Sequence, residues 1–257
     1  MKLVRGEFIL AAERPSGLNS SCGSLMQGAL MQKIDEQYGE ILHRSERKPY
    51  SQYLICGAAE TRWMLQTLTE EAESEIWTKT GAANWDSIYL EQKDLHLTVQ
   101  GIKRTSLSED ELLKKTFFGD CPRRIKIRFI TPASFKTAGD YQNYPTVRHI
   151  FQSLIQKFDA VSTDVTIGLE HVLEDIEQYT KVTGYNLRSV WYSVEGVKIP
   201  SFLGTMSFLL KGPQQLVNLT HMLLVFGTYA GVGIKTAMGM GGMQIAEGVN
   251  ASERKHV

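Results

Sequence analysis

The chain is short of cysteine: Cys22, Cys56 and Cys121 are all it carries in 257 residues. An odd number at wide spacing excludes a disulfide framework and a Cys-x-x-Cys metal site, and it suits a reducing compartment. No apolar run approaches the roughly 20 residues that a membrane helix needs. Met1–Glu7 has an early basic residue but no apolar core of a secretion signal. A cytoplasmic protein away from membranes is the expectation. No pair among the six histidines has metal-ligand spacing, and Asp94 with His96 alone is weak. Neither a metal nor a cofactor is expected. Charge of one sign is also missing, since 28 Lys and Arg balance 28 Asp and Glu.

That balance at first argues against a nucleic-acid partner, but the charges are unevenly spread. Residues 67–120 carry eleven acidic and six basic side chains, and residues 121–148 carry six basic ones against Asp140 alone. Phosphate binding responds to local potential more than to the molecular sum. On charge alone, an ordinary strand with outward charges explains the basic stretch equally well. Hydrophobic content of 42% and charged content of 22% are those of a globular protein. The length allows one large domain or two of about 100–150 residues.

The order of apolar patterns favours two. Lys2–Ala12 reads as a strand, and turn chemistry follows at Arg14–Ser20. Helical spacing covers Cys22–Ile34 and Asp35–His43. Strands are expected at Tyr50–Cys56, Arg62–Leu68 and Leu95–Ile102, with a helix at Glu70–Trp77. That sequence is the split βαβ of a ferredoxin-like unit. Ser108–Thr116 reads as a connecting helix and Gly119–Pro122 as a boundary turn. The pattern then returns: strand Arg124–Ile130, helix Pro145–Asp159, strands Val190–Val194 and Lys198–Leu210 around Glu195-Gly196, helix Gln214–Phe226, and a last strand over Ala237–Ala246. An extra helical patch spans Leu169–Gln178. An α+β protein of two tandem ferredoxin-like (RRM-like) domains, 1–118 and 119–257, is expected.

The densest signal is Gly231-Val-Gly-Ile-Lys-Thr-Ala-Met-Gly-Met-Gly241, followed by Gly242. A phosphate-binding P-loop runs from strand to helix and joins Gly directly to Lys. In this chain Ile234 intervenes and the cluster leaves a helix to enter a strand, so a mononucleotide pocket is excluded. A helix C-cap at Gly227 and a tight connection would explain one or two glycines. Six in sixteen residues around Lys235-Thr236 fit better a backbone surface laid against RNA, with amides toward phosphates.

The spacing Gly-apolar-Gly, five residues including a basic one, Gly-apolar-Gly resembles the C-terminal signature of the CRISPR repeat-processing endoribonucleases of the RAMP superfamily. Phe129-Ile-Thr-Pro-Ala-Ser-Phe-Lys136 and Asn143-Tyr-Pro-Thr-Val-Arg-His-Ile-Phe-Gln-Ser-Leu154 resemble that family's elements opening the second domain. Lys198-Ile-Pro-Ser-Phe-Leu-Gly204 resembles a strand of members associated with type III (Csm) systems. Gly23–Met31 and Ile41-Leu-His43 resemble the first helical region, whereas 58–120 and 160–190 have no distinctive match. The resemblance implies a metal-independent cut within each CRISPR repeat, with a module of the same fold that holds repeat RNA without cutting it as the alternative. The upstream 2′-OH attacks the neighbouring phosphate, leaving a 2′,3′-cyclic phosphate and a 5′-OH. It implies repeat RNA as the partner and leaves room for a homodimer and a transient association with a type III effector complex.

Such a reaction needs proton transfer and a cation facing the phosphate. His43 matches the family's histidine after the first helical region and opens a polar basic loop. Histidine's ordinary pKa of about 6.5 suits proton exchange near neutrality. Lys48 is the favoured cation, with Arg44 and Arg47 as competitors. The family's assisting tyrosine on the first helix is missing: Met31 and Gln32 stand there, and Tyr38 lies elsewhere. RNA contacts are expected from Gly231, Gly233, Lys235, Thr236, Gly239 and Gly241, from Arg123, Arg124, Arg128 and Lys136, and from Lys198. Trp191 is read as core in preference to a stacking platform. His149 and His221, within helical runs, are read as structural.

Overall fold

The computed structural model describes residues 1–12, 17–57, 60–81 and 85–246. Part of the turn expected at Arg14–Ser20 and all of the segment holding His256 fall outside them. The first sheet is built from β1 (Lys2–Ala12), β2 (Tyr50–Cys56), β3 (Thr61–Thr67), β4 (Ser87–Leu90) and β5 (Leu95–Ser108). Its order is β2-β3-β1-β5-β4 with every pairing antiparallel. Without the short edge strand β4, which the sequence reading did not expect, this is the ferredoxin-like arrangement. Helices α1 (Gly23–Met31) and α2 (Glu36–Arg44) connect β1 to β2, and α3 (Glu70–Glu73) runs into a π-helical turn at Ser74–Thr78.

Alternation along β1 sends Val4, Phe8 and Leu10 into the core beneath those helices. Phe8 is ringed by Trp63, Trp77 and Trp85 at centroid distances of 4.7, 5.5 and 5.2 Å. Each such aromatic pair adds roughly 0.5–1.5 kcal/mol beyond area burial. The cluster fills the core between the sheet and its helices, which Tyr38 and Leu42 of α2 also enter.

After the capped connector α4 (Glu109–Lys115), the second sheet uses β6 (Arg124–Ala133), a small hairpin β7 (Phe135–Thr137) and β8 (Asp140–Gln142), then β9 (Thr180–Val194), β10 (Val197–Leu210) and β11 (Met243–Ala246). The main order, β11-β6-β10-β9, is again ferredoxin-like. Helices α5 (Val147–Val161), α6 (Glu170–Tyr179) and α7 (Gln214–Ala230) cover one face, burying Phe151, Leu154, Phe158 and Phe226 against Ile127, Phe129 and Phe208. No helix among the described residues is long and apolar enough to cross a membrane.

Several boundaries differ from the sequence reading. β9 begins at Thr180, ten residues before the expected start, because its first half is exposed and polar and shows no apolar alternation. α5 starts after Thr146, whose side chain accepts from the His149 amide at 3.0 Å, so Pro145 precedes the cap. α7 continues through Gly227 to Ala230 and ends at Gly231, φ 66°. The last strand is only Met243–Ala246, because Thr236–Met238 forms a 3-10 turn.

Asn218 of α7 secures the connection between the sheets. Its Nδ2 donates to the carbonyls of Phe117 (3.0 Å) and Gly119 (2.7 Å), and its Oδ1 accepts from the Cys121 amide (3.1 Å) and Gln214 Nε2 (2.9 Å). Asn218→Ala removes the partner of three half-buried backbone groups of the connector, each costing up to about 1 kcal/mol. Urea denaturation should show a loss of about 2 kcal/mol; an unchanged midpoint would contradict this role.

Candidate active site and nucleic-acid interface

The Asp35 carboxylate accepts from the amides of Gln37 (2.9 Å) and Tyr38 (3.2 Å), starting α2. Helical spacing then buries Tyr38 and Leu42 and turns His43 outward in the last turn. The next loop folds back on the helix end, because Lys48 Nζ donates to the carbonyls of Ser45 (2.5 Å) and His43 (3.3 Å). Burial lowers the Lys48 pKa. His43 and Lys48 therefore line one cavity of about 670 Å³, together with Gln27, Gln32, Glu36 and Tyr50.

Of the competing cations, Arg44 pairs with Glu40 at 3.5 Å on the outer surface, and Arg47 reaches across to Gln156 Oε1 at 3.2 Å. Tyr38 is confined to the core, and burial, with Glu71 and Glu75 nearby, raises its pKa strongly. It does not take the place of the missing first-helix tyrosine. Two residues passed over in the sequence do face His43's cavity. Gln27 of α1 donates to the Tyr50 hydroxyl at 3.1 Å, and burial pushes Tyr50 up to about 12 despite that bond. Gln27 stood out as the one long polar side chain in an otherwise small or apolar helix.

Gln27 and Lys48 also line a second cleft of about 690 Å³, which lies between the two sheets. Its other walls carry Arg47, Lys136, His149, Lys157, Lys235 and Thr236. The two cavities adjoin at these shared residues, with His43 in one and the tip of the glycine-rich segment in the other.

The glycines themselves are turned inward. Gly233 has φ 78°, and a Cβ there would lie 2.2 Å from the Ser134 carbonyl oxygen. Gly241 has φ 68°, and its Cβ would lie 2.0 Å from the Val232 oxygen. Backbone is packed on backbone, which only glycine permits. The amides are spent in the same way: Gly231 on Gly227, Val232 on Gly241, Ile234 on Ser134, Gly241 on Pro132, and Gly233 on Ser153 Oγ. Gly239 packs against Gly23 of α1 and the Tyr192 hydroxyl. The expectation that the amides of Gly231, Gly233 and Gly241 face phosphates is corrected, because protein atoms already occupy them. Lys235 and Thr236 are what the segment offers to the cleft. Lys235 holds φ 53°, uncommon for a residue with a side chain and a feature of functional turns.

The basic strand divides. Arg124 and Arg128 are exposed on the open face of β6 with Lys126 between them. A hollow of about 380 Å³ adds Arg188 and Asn186 to Lys126 and Arg128. Arg123 is drawn off, donating to the carbonyls of Leu210 (3.1 Å) and Gly212 (2.8 Å). Lys136 lies over the Tyr141 ring at 5.7 Å and faces the cleft. Trp191 is 67% exposed, which corrects its reading as core. It pairs with Pro200, and Lys198 with Ser193, so Trp191 and Lys198 are diagonal neighbours on one face of the hairpin. The helical histidines serve the fold: His149 stacks on Phe135 at 5.1 Å, and His221 Nε2 lies 2.6 Å from the Pro122 carbonyl, with burial lowering its pKa. Among the described residues, no three His, Cys, Asp or Glu side chains form a metal-binding group.

Gly241→Ala must relieve a collision in a left-handed conformation, a cost of at least about 2 kcal/mol. Gly28→Ala, in open space on α1, should instead stabilise by about 0.5 kcal/mol. Chemical denaturation of the two variants checks both signs, and equal stability would contradict the packing role.

Residues 127–243 match the family described as CRISPR-associated endoribonuclease Cas6. The CRISPR-associated endoribonuclease Cas6 of Streptococcus thermophilus is 32% identical over 221 residues, covering 86% of this chain and 89% of that protein. The Mycobacterium tuberculosis protein of the same name is 28% identical over 230 residues, covering 88% and 72%. Among solved structures, a Cas6 product complex superposes with TM-score 0.81 at 19% identity, covering 96% of this chain and all of that one. Thermus thermophilus Cas6 superposes with TM-score 0.68 at 22% identity, covering 95% and 98%. With a core, a glycine-rich segment and a relative matched over nearly its full length, the chain belongs to the CRISPR-associated endoribonuclease Cas6 family.

Proposed function

We propose that this chain binds CRISPR precursor RNA between its two sheets and cuts it once in each repeat, without a metal ion. The observation that carries the reading is the shared wall of the two cavities: His43 and Lys48 stand at one end, and Lys235 and Thr236 at the other. The names of the matched relatives support the substrate class. The 2′-OH upstream of the cut gives up its proton as its oxygen bonds to phosphorus. The 5′-oxygen of the next nucleotide leaves and takes a proton, so a 2′,3′-cyclic phosphate and a 5′-OH result. His43 transfers protons, a role for which imidazole is suited near neutrality. Lys48 opposes the charge gathering on the pentavalent phosphate. Its bonds to the His43 and Ser45 carbonyls hold it beside the histidine. Gln27, shared by both cavities, supplies an uncharged donor where the family's tyrosine is absent. Arg128, Lys136 and Lys198 offer phosphate contacts, and Trp191 a stacking face for an unpaired base.

Single-turnover cleavage of the cognate repeat RNA in EDTA tests this directly. His43→Ala should slow cutting by about 10²–10⁴-fold, and Lys48→Ala by about 10²-fold, both with RNA affinity changed only a few-fold. RNA carrying hydrogen in place of the upstream 2′-OH should bind and remain whole. Wild-type rates for His43→Ala would overturn the site. Loss of cutting on adding EDTA, or cleavage of the 2′-deoxy RNA, would overturn the chemistry.

A further inference from the structure

Helix α7 ends in the cleft between the sheets, where Ala230 forms part of the wall. The carboxyl end of a helix carries the equivalent of about half a negative charge. Bare, it would repel a phosphate chain entering that cleft. One side chain covers it. Lys157 of α5 extends Nζ to the carbonyls of Gly231 (3.1 Å) and Ala230 (3.4 Å), and to Thr236 Oγ1 (3.2 Å). An ammonium has three donors, and these three acceptors use them all. Two belong to the helix end and the third to the tip of the glycine-rich segment.

The placement is unusual for a lysine. Ile150, Leu154 and Phe158 form the buried stripe of α5, and position 157, seven after Ile150 and three after Leu154, falls on its edge. The groups facing the cleft are Glu46, Arg47 and Lys48 from the loop after α2, Lys136 from β7, His149 from α5 and Lys235 from the glycine-rich segment. Glu46 is the one acid among them. Burial, and then Arg47, lower the Lys157 pKa to about 7, so the cation is held against the preference of its surroundings. A polyanion in the cleft would reverse that preference.

We infer that Lys157 is a positioning residue for the RNA, masking the carboxyl end of α7 and holding Thr236, beside Lys235, in place for the phosphate backbone. The inference rests on the reading of this cleft as the RNA path. RNA favours the protonated form, so binding takes up a proton wherever the free protein has lost it. By linkage, wild-type affinity weakens as pH rises from about 6 to 8.5. Whatever pH dependence the rest of the site contributes is shared by a Lys157 variant, so the difference isolates the lysine.

The experiment measures Kd for repeat RNA made uncleavable by a 2′-deoxy substitution at the cut, at pH 6.5 and 8.5, together with single-turnover cleavage of ordinary repeat RNA at saturation. Lys157→Met should weaken binding about tenfold at pH 6.5 and lose the extra decline toward pH 8.5, with the saturated cleavage rate within about threefold. Lys157→Arg, charged at both pH values, should restore affinity and lessen its pH dependence. Lysine-labelled wild-type protein gives a second readout, independent of any variant's folding. The Lys157 ammonium, followed by NMR, should hold its proton at least tenfold more tightly with RNA bound. Wild-type Kd and pH dependence in Lys157→Met, or a Lys157 titration unmoved by RNA, would overturn the inference. A wild-type protein that fails to distinguish repeat from scrambled RNA would instead overturn the functional reading, and the NMR titration with either RNA would still report on Lys157.

Discussion

The close packing of segment 231–242 between the two sheets is the constraint on which the rest of the site depends. Its backbone lies on the backbone of Ser134 at the end of β6, on Gly23 at the start of α1, and on the Tyr53 ring of β2. Side chains from both sheets then secure it. Buried Gln52 donates to the carbonyls of Ala237 (2.9 Å) and Gly23 (2.6 Å), and its own oxygen accepts from Trp63 Nε1 at 2.9 Å. Tyr192 donates to the Met238 carbonyl at 2.7 Å. A Cβ at several of these points would push the sheets apart, and the cleft between them would change shape. The glycines set how closely the two walls of the cleft approach.

That arrangement separates chemistry from grip while keeping them in register. α2 belongs to the first sheet's layer and enters its core through Tyr38 and Leu42. The half-buried tip, Lys235 and Thr236, is held by Lys157 of the second sheet's layer, while Ala237 beside it packs into the first sheet's core. Gln27 and Lys48 line both cavities, of which one holds the tip and the other His43. Arg5 ties the layers again, donating to the Thr228 carbonyl at 2.7 Å and lying 4.2 Å over the Tyr229 ring. A change in the packing of α7 would therefore be felt at both ends of the cleft.

Much of this was legible in the sequence for definite reasons. Apolar alternation gave most strands, and the repeated order of elements gave two ferredoxin-like sheets. The helical stripe of α2 placed His43 outward, since Tyr38 and Leu42 had to face the core. What escaped depends on contacts that no local pattern encodes. The six clustered glycines announced close approach of backbone, yet whether the other surface was RNA or protein depended on where Ser134 and Val232 lay. Trp191 looked like core by residue type, but alternation along β9 buries Tyr192 and Val194 and turns Trp191 to the open face. Arg123 and Arg124 are neighbours in sequence, and strand alternation sends one to the carbonyls after β10 and the other to the open face. Lys157 carried a signal, a charge on an apolar stripe, whose meaning required the end of α7 seventy residues later.

In the proposed RNA path, one strand runs from the Lys235–Thr236 tip to the His43–Lys48 pair along the two cavities. A crystal structure with repeat RNA blocked by a 2′-deoxy substitution at the cut tests it most directly. The scissile phosphate should lie within hydrogen-bonding reach of His43 and Lys48, with a neighbouring phosphate of the same strand at Lys235 or Thr236. A scissile phosphate lying instead on the open face of β6, at Arg124 and Arg128 and away from His43, would contradict it.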